Sequence, residues 1–328
     1  MRWGEKRYHS LDYELKQMFK EKVYKIALNG GMTCPNRDGH VGTGGCIFCS
    51  SQGSGDFAGS ARLSIAEQIR QGKADISSKR PVHSYIAYFQ AFTNTYAPVE
   101  TLRALYMEAI ADPEVKILSI ATRPDCLGAD VLALLDEINH IKPVWVELGL
   151  QTIHPETSAY IRRGYELSVF EQAVKELRAI GITVIVHTIL YLPGETKDDM
   201  LDTIHYLNHM DIQGIKLQLL HVLTHTDLAA DYEKHPFYIP DMQDYIQFLG
   251  TCIAQLNPEI VIHRLTGDGP KDLLIAPLWT SNKRTVLNQL HSHLKEIRLG
   301  KWLVLALFWA GSIIPLFFFI AGALKFSQ

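Results

Sequence analysis

Between residues 22 and 220, short apolar runs rich in β-branched residues alternate with stretches whose apolar positions recur every three to four residues. Six runs read as strands: 22–30 (KVYKIALNG), 82–90 (VHSYIAYFQ), 115–121 (VKILSIA), 143–150 (PVWVELGL), 182–190 (ITVIVHTIL) and 213–220 (QGIKLQLL). The segments 62–73, 98–111, 128–139, 168–180 and 197–209 read as helices, several closing near Gly or Pro. Repeated strand-and-crossover units predict an α/β fold with a parallel sheet, either open or curled into a partial barrel; periodicity does not separate the two. In both, a ligand belongs at the C-terminal ends of the strands. Residues 225–300 are less regular, with one helical stretch near 241–256 and the polar run HRLTGDGPKDLLIAPLWTSNKR.

The pattern changes at the C-terminus. From Trp302 to Leu324 no residue is charged, and Arg298, Lys301 and Lys325 flank the run. These 23 residues would span about 34 Å as a helix, against a hydrocarbon core of ~30 Å. Trp302 and Trp309 suit an interface, and Pro315 would kink such a helix without forbidding it. The expectation is a single-pass anchor, with the preceding positive charges keeping the remainder on the cytoplasmic side. A helix docked on the enzyme, or an extension created by fusion or frame error, are the competing readings. The expected organisation is a core over residues 1–222, an extension over 223–300 and a hydrophobic tail over 301–328.

Composition adds exclusions. The chain has 328 residues, 47% hydrophobic and 20% charged, long enough for one large domain or two ordinary ones and too apolar for a disordered chain. The tail holds two lysines and no acid, so residues 1–300 carry 30 basic and 35 acidic side chains, net −5. That rules out a strongly basic nucleic-acid coat but leaves room for a local basic groove. The charged N-terminus, with Arg2, Lys6 and Arg7, does not read as a secretory signal. Five cysteines are too few, and odd in number, for a secreted disulfide scaffold.

Three of those cysteines stand together after the first strand, in GGMTCPNRDGHVGTGGCIFCS, where Cys34, Cys46 and Cys49 are spaced C-x11-C-x2-C. Glycines in such a loop let backbone approach an inorganic centre. Three thiolates without a nearby fourth suit a [4Fe–4S] cluster with one iron left for a small molecule. Zinc completed by His40, or a Cys46–Cys49 disulfide, are the alternatives the spacing leaves open. Cys126 and Cys252 are isolated and read as buried small hydrophobes.

The cysteine loop resembles the cluster-binding loop of radical S-adenosylmethionine (SAM) enzymes, in the longer-spaced version of the elongator catalytic subunit. YIAYFQAFTNTYAP (85–98), SIATRPDCL (119–127), VELGLQTIHPETSAYIRRGY (146–165) and HTILYLPGET (187–196) resemble later segments of that group in the same order. Within it the match is to the bacterial YtqA/YhcC-type subfamily, over about residues 1–297. The acetyltransferase domain of the elongator subunit has no counterpart here.

The resemblance implies a partial (β/α)6 barrel of the radical SAM type, with the C-terminal extension and hydrophobic helix appended. It implies a [4Fe–4S] cluster on Cys34, Cys46 and Cys49, and reductive cleavage of SAM to a 5′-deoxyadenosyl radical. Phe48 matches the aromatic beside the cluster, or is ordinary loop packing. Gln90 and Thr93 match positions near the SAM amino group. Glu147 and Gln151 match polar contacts to its ribose or methionine part, a structural hydrogen bond being the other reading of a carboxylate in an apolar run. Arg163 matches an arginine pairing with the SAM carboxylate, with Arg162 as its possible substitute. Arg123 and Asp125 would orient substrate or SAM, LPGE (192–195) would offer a turn to the adenine, and His187 reads equally as a core histidine. The implied partners are an electron donor such as flavodoxin or ferredoxin, and tRNA. The implied target is the C5 side chain of wobble uridine, specifically conversion of a 5-carboxymethylaminomethyl group to 5-aminomethyl. His263, Arg264, Lys271, Lys283 and Arg284 would line a phosphate-binding rim. A small metabolite or a protein as substrate, and a non-catalytic zinc-stabilised membrane module, are the alternatives.

Overall fold

A computed structural model describes residues 3–78, 82–267 and 269–296. The six expected strands are present: β1 (Tyr24–Leu28), β2 (Tyr85–Phe89), β3 (Val115–Thr122), β4 (Val144–Gln151), β5 (Thr183–Leu190) and β6 (Gly214–Leu219). A two-residue β7 (Val222–Leu223) and a three-residue β9 (Leu274–Ala276) form a small antiparallel ribbon. Between them in sequence lies β8 (Val261–Arg264), which pairs parallel to β6 and makes the main sheet seven-stranded, in the order β1-β2-β3-β4-β5-β6-β8. The expected six-stranded barrel is therefore corrected to seven strands. The seventh is only four residues long and lies in the stretch where the strand–helix alternation fades.

Helices α2 (Ile65–Ser77), α3 (Val99–Ala111), α4 (Ala129–Asn139), α6 (Leu167–Ala179) and α7 (Lys197–Asn208) follow the expected segments, with a short α5 (Pro155–Tyr160) after β4. Their spacing explains their placement. In α6, Phe170, Ala173, Val174 and Leu177 recur at i, i+3, i+4 and i+7 and are all buried. Burying each large apolar side chain contributes roughly 1.5–3 kcal/mol. The entry to α7 is a capping box: Thr196 accepts from the Asp199 backbone N–H while Asp199 accepts from that of Thr196. In the extension, α8 (Asp227–Lys234) and α9 (Met242–Gln255) bridge β7 to β8, and residues 283–296 are helical.

Curvature is what shapes the site. Strands lie about 4.8 Å apart, so β1 and β4 of a flat sheet would be separated by about 14 Å. Here Lys25 Nζ of β1 reaches Glu147 Oε1 of β4 at 2.7 Å, and Lys216 Nζ of β6 reaches the Tyr88 hydroxyl of β2 at 3.1 Å. Only a sheet curled into a half-barrel brings those side chains together. Its lower interior is apolar: Val23, Ile86, Ile117, Trp145 and Ile185 pack with Leu15 of α1 (Leu11–Phe19), which closes that end. The opposite end, at the strand C-termini, stays open beneath the cysteine loop.

Among the described residues no helix is long and apolar enough to cross a membrane. The expected anchor, Trp302 to Leu324, lies outside the described residues.

Candidate active site at the mouth of the half-barrel

The cysteine loop is fastened from several directions. The Ile47 N–H donates to the Ile161 carbonyl, and the Ile47 carbonyl accepts from the Leu228 N–H at the start of α8. Asn36 Nδ2 donates to the Arg162 carbonyl at 2.6 Å, next to Gly164, whose φ of +81° allows the close approach. Arg37 donates to the carbonyls of Cys49 and Ser50, and its guanidinium lies 5.5 Å from the Phe92 ring centre. Backbone carbonyls thus hold the loop in place while its thiols face inward.

A cavity of about 400 Å³ lies under this loop. Its wall contains Cys34, Cys46 and Cys49 together with Phe48, Gln90, Thr93, Arg123, Glu147, Gln151 and Arg163. These ten candidates thus meet in one space, although they come from segments up to 129 positions apart, whereas Asp125, Arg162 and the turn at 192–195 are not part of its wall. The three thiols are electrostatic neighbours. Burial, then the adjacent Cys49 and Cys34, push the Cys46 thiol up to about 12, while Arg123 opposes the rise. Among the described residues, no three His, Cys, Asp or Glu side chains come together as a single-ion site. His40, the expected fourth zinc ligand, lines a different cavity with Cys126 and Asp125, its ring 6.4 Å from Tyr96. Three thiols facing a cavity without that histidine suit a multi-iron cluster, whose ligands are spread more widely than those of one tetrahedral zinc ion. Cys252 is buried as expected, whereas Cys126 is only half-buried, beside Asp125 at the third strand's end.

The remaining residues divide into those with polar groups to spare and those already engaged. Gln151 ends β4 with a φ of +68°, and its buried Oε1 has no hydrogen-bond partner. A strained backbone and an orphaned acceptor in a cavity wall are features of a ligand contact. Gln90 Nε2 donates to the Ser54 carbonyl at 2.7 Å, and the Thr93 N–H to the Thr33 carbonyl, joining β2 to the cysteine loop. Arg123 forms a two-point ion pair with Asp125 and donates through Nη1 to the Arg163 carbonyl at 2.8 Å. Arg163 is buried, and its guanidinium donates to the carbonyls of Leu150, Thr152 and Tyr165 over the Tyr165 ring. In this geometry it organises the loop after β4 rather than presenting a free fork, and Arg162 is engaged by Asp227.

Glu147 is fully buried and saturated. Oε1 accepts from Lys25 at 2.7 Å and Ser119 at 2.8 Å, while Oε2 accepts from His187 at 2.7 Å and from Lys216. Burial alone would raise its pKa; the charges of Lys216 and Lys25 and the His187 hydrogen bond reverse that and hold it well below the usual carboxylate range. Burial, then Lys216, push His187 down to about 4, so its imidazole is neutral near pH 7. The structural role left open for Glu147 is the one this geometry supports. Sequence reading missed Lys25, Tyr88, Ser119 and Lys216 as parts of this layer. The available signal was a lysine inside an apolar run (GIKLQLL), the same anomaly that marked Glu147 in VWVELGL.

The rim expectation needs correction. His263 is turned into the barrel, its ring 5.2 Å from Trp145, and Arg264 lines the cavity with Nη1 at 3.3 Å from Gln218 Oε1. Neither belongs to an outer phosphate-binding surface.

Comparison with known proteins agrees with this arrangement. The Radical SAM superfamily model matches residues 36–207, and the Radical_SAM C-terminal domain matches residues 212–296. YtqA of Bacillus subtilis is 45% identical over 292 residues, covering 89% of this chain and 91% of that protein. YhcC of Escherichia coli K12 is 37% identical over 285 residues, covering 86% and 91%. Among solved structures, the archaeal Methanocaldococcus infernus Elp3 superposes with a TM-score of 0.66 at 15% identity, covering 84% of this chain and 63% of that one.

Proposed function

The chain belongs to the radical SAM superfamily, and we propose that it acts on the C5 side chain of the wobble uridine of tRNA. It is a SAM-dependent enzyme whose cofactors are a [4Fe–4S] cluster and SAM. Cys34, Cys46 and Cys49 would hold the cluster, and the bound pair would supply reductive cleavage of the sulfonium to a hydrogen-abstracting carbon radical. The protein's part is to exclude water and hold groups in register: Phe48 lines the cavity beside the thiols, and Gln151 Oε1 is free to accept a hydrogen bond from bound SAM. The reading rests on one observation. The elongator-like segments, scattered from residue 34 to residue 163, converge on a single cavity at the strand C-termini. A reductant of the flavodoxin or ferredoxin type supplies the electron in this proposal.

Deleting the gene tests the substrate. Nucleoside mass spectrometry of bulk tRNA should show loss of one C5-modified uridine and accumulation of its precursor. An unchanged profile in cells that make the protein would reject tRNA in favour of a metabolite or protein substrate.

The uncharged run from Trp302 to Leu324, with basic residues on both sides, supports a C-terminal anchor as part of the same proposal, with the catalytic part in the cytoplasm. Full-length protein should then pellet with membranes and resist carbonate extraction, while a chain ending at residue 297 should stay in the supernatant. Recovery of the full-length chain in the carbonate supernatant would exclude the anchor.

A further inference from the structure

The half-barrel interior is graded. Its lowest layer is apolar, its mouth carries the thiols, and between them lies a layer that brings together charged and polar groups from six of the seven strands. Lys25 comes from β1, Tyr88 from β2, Ser119 from β3, Glu147 from β4, His187 from β5 and Lys216 from β6. Arg264, at the end of β8, extends the layer along the cavity wall.

The charges of this layer do not balance. Glu147 is the only carboxylate in it among the described residues, against Lys25, Lys216 and Arg264. A carboxylate offers about four acceptor sites, and all four are taken by Lys25, Ser119, His187 and Lys216. It has nothing left for Arg264. Lys216 has three N–H groups, of which Glu147 and Tyr88 accept two. The third has no partner among the described residues, and the lysine side chain is only 3% exposed. Arg264 has five donors, and Gln218 Oε1 accepts from one. A buried ammonium such as Lys216, beside a half-buried Arg264 and sharing its one carboxylate with Lys25, is costly unless an anion joins it.

The cations nearer the thiols do not share this surplus. Arg37 is engaged by carbonyls of Cys49 and Ser50, Arg123 by Asp125, and Arg163 by three backbone carbonyls. Asp56, the other acid in the cavity wall, accepts from Ser50 beneath the cysteine loop. The surplus lies one inward step deeper, since Glu147 precedes Gly149 and Lys216 precedes Gln218 by two residues along their strands.

We propose that this layer is a carboxylate-binding subsite for the substrate, in which Lys216 Nζ and the Arg264 guanidinium take a small anionic group. Glu147 and Tyr88 hold the Lys216 ammonium in place; they are positioning residues. The subsite makes the substrate anionic at the end that enters the barrel. It deepens the wobble-uridine reading and rests on it for the choice of arm: a carboxymethylamino group carries its carboxylate two bonds from the nitrogen and is narrow enough to enter the cavity ahead of the base. The polar layer needs no nucleoside to recognise that group.

The test therefore uses a probe without one. The full chain, reconstituted anaerobically with its cluster and supplied with SAM, is titrated with N-methylglycine and with its primary amide, which keeps the amine and replaces the carboxylate by a neutral carboxamide, binding being followed by saturation-transfer NMR. A charge-assisted hydrogen bond contributes about 1.5–3 kcal/mol, so the carboxylate should bind about tenfold or more tightly than the amide. Lys216→Met and Arg264→Gln should each erase most of that preference, and Lys175→Gln on the outer face of α6 should keep it. Arg264→Gln, at the sheet edge and partly exposed, covers the case in which Lys216→Met does not fold. Equal affinity for the two probes, or a preference untouched in both variants, overturns the subsite. An unchanged tRNA nucleoside profile alongside a strong carboxylate preference removes the tRNA reading and leaves the subsite standing.

Discussion

Replacing Cys46 with alanine is expected to reduce iron loading of the anaerobically reconstituted protein from about four atoms per chain to near background, and to abolish SAM cleavage. The reason lies in the position of this thiol. It is half-buried, it is the middle member of the trio electrostatically, and Asn36 Nδ2 approaches its sulfur at 3.5 Å while fastening the loop to the Arg162 carbonyl. Removing it leaves two thiols for a cluster that needs three. Cys126→Ala serves as the control, since that residue lines the separate cavity containing His40 and should leave iron loading unchanged. Iron and sulfide assays, with the visible absorption of the cluster, read the result. Stoichiometric zinc without iron in the wild-type protein would reject the assignment of these cysteines.

How far the sequence could be read depends on which kind of order is at issue. Strand–helix alternation is written locally: β1, β2, β5 and β6 lie inside the runs expected for them, and β3 and β4 run one residue past theirs, to Thr122 and Gln151. The cysteine loop was equally legible because its chemistry is carried by residue type and spacing. β8 was not, because four residues give too short a pattern for periodicity to register, and its partner β6 lies before the whole α8–α9 excursion in sequence. Cys126 was misjudged as buried because nothing local shows that the turn after β3 faces a second cavity.

The least legible feature was the shared fate of Lys25, Glu147, His187 and Lys216. Each sits at an inward position of its own strand, which alternation could have shown. That they touch depends on how tightly the sheet curls, and curl is a property of the assembled sheet. Arg163 teaches a related lesson. Its motif suggested a partner carboxylate, yet the guanidinium is engaged by three backbone carbonyls, of Leu150 in β4, Thr152 just after it and Tyr165 beyond α5. A motif gives the residue type; its partners come from the fold.

The buried layer also predicts the largest stability effect in the molecule. Glu147→Ala should lower stability by roughly 3–5 kcal/mol, because it strands Lys216, 3% exposed, and Lys25, 24% exposed, without their carboxylate. For a chain of this length that corresponds to a fall in Tm on the order of 10 °C. The double variant Glu147→Met with Lys216→Met should recover much of the loss, since an apolar pair of similar volume removes the stranded charge as well as its partner. The pH dependence has a definite sign. The folded carboxylate titrates well below its ordinary range, so its contribution is complete above the unfolded value of about 4.3 and fades only as the pH drops toward the folded one. The gap between wild type and Glu147→Ala should therefore be constant from about pH 7 to pH 5 and narrow in stronger acid. Thermal denaturation across that range measures it. A variant melting within about 2 °C of wild type, a difference of only about 1 kcal/mol, would mean that the four donors around Glu147 do not depend on it.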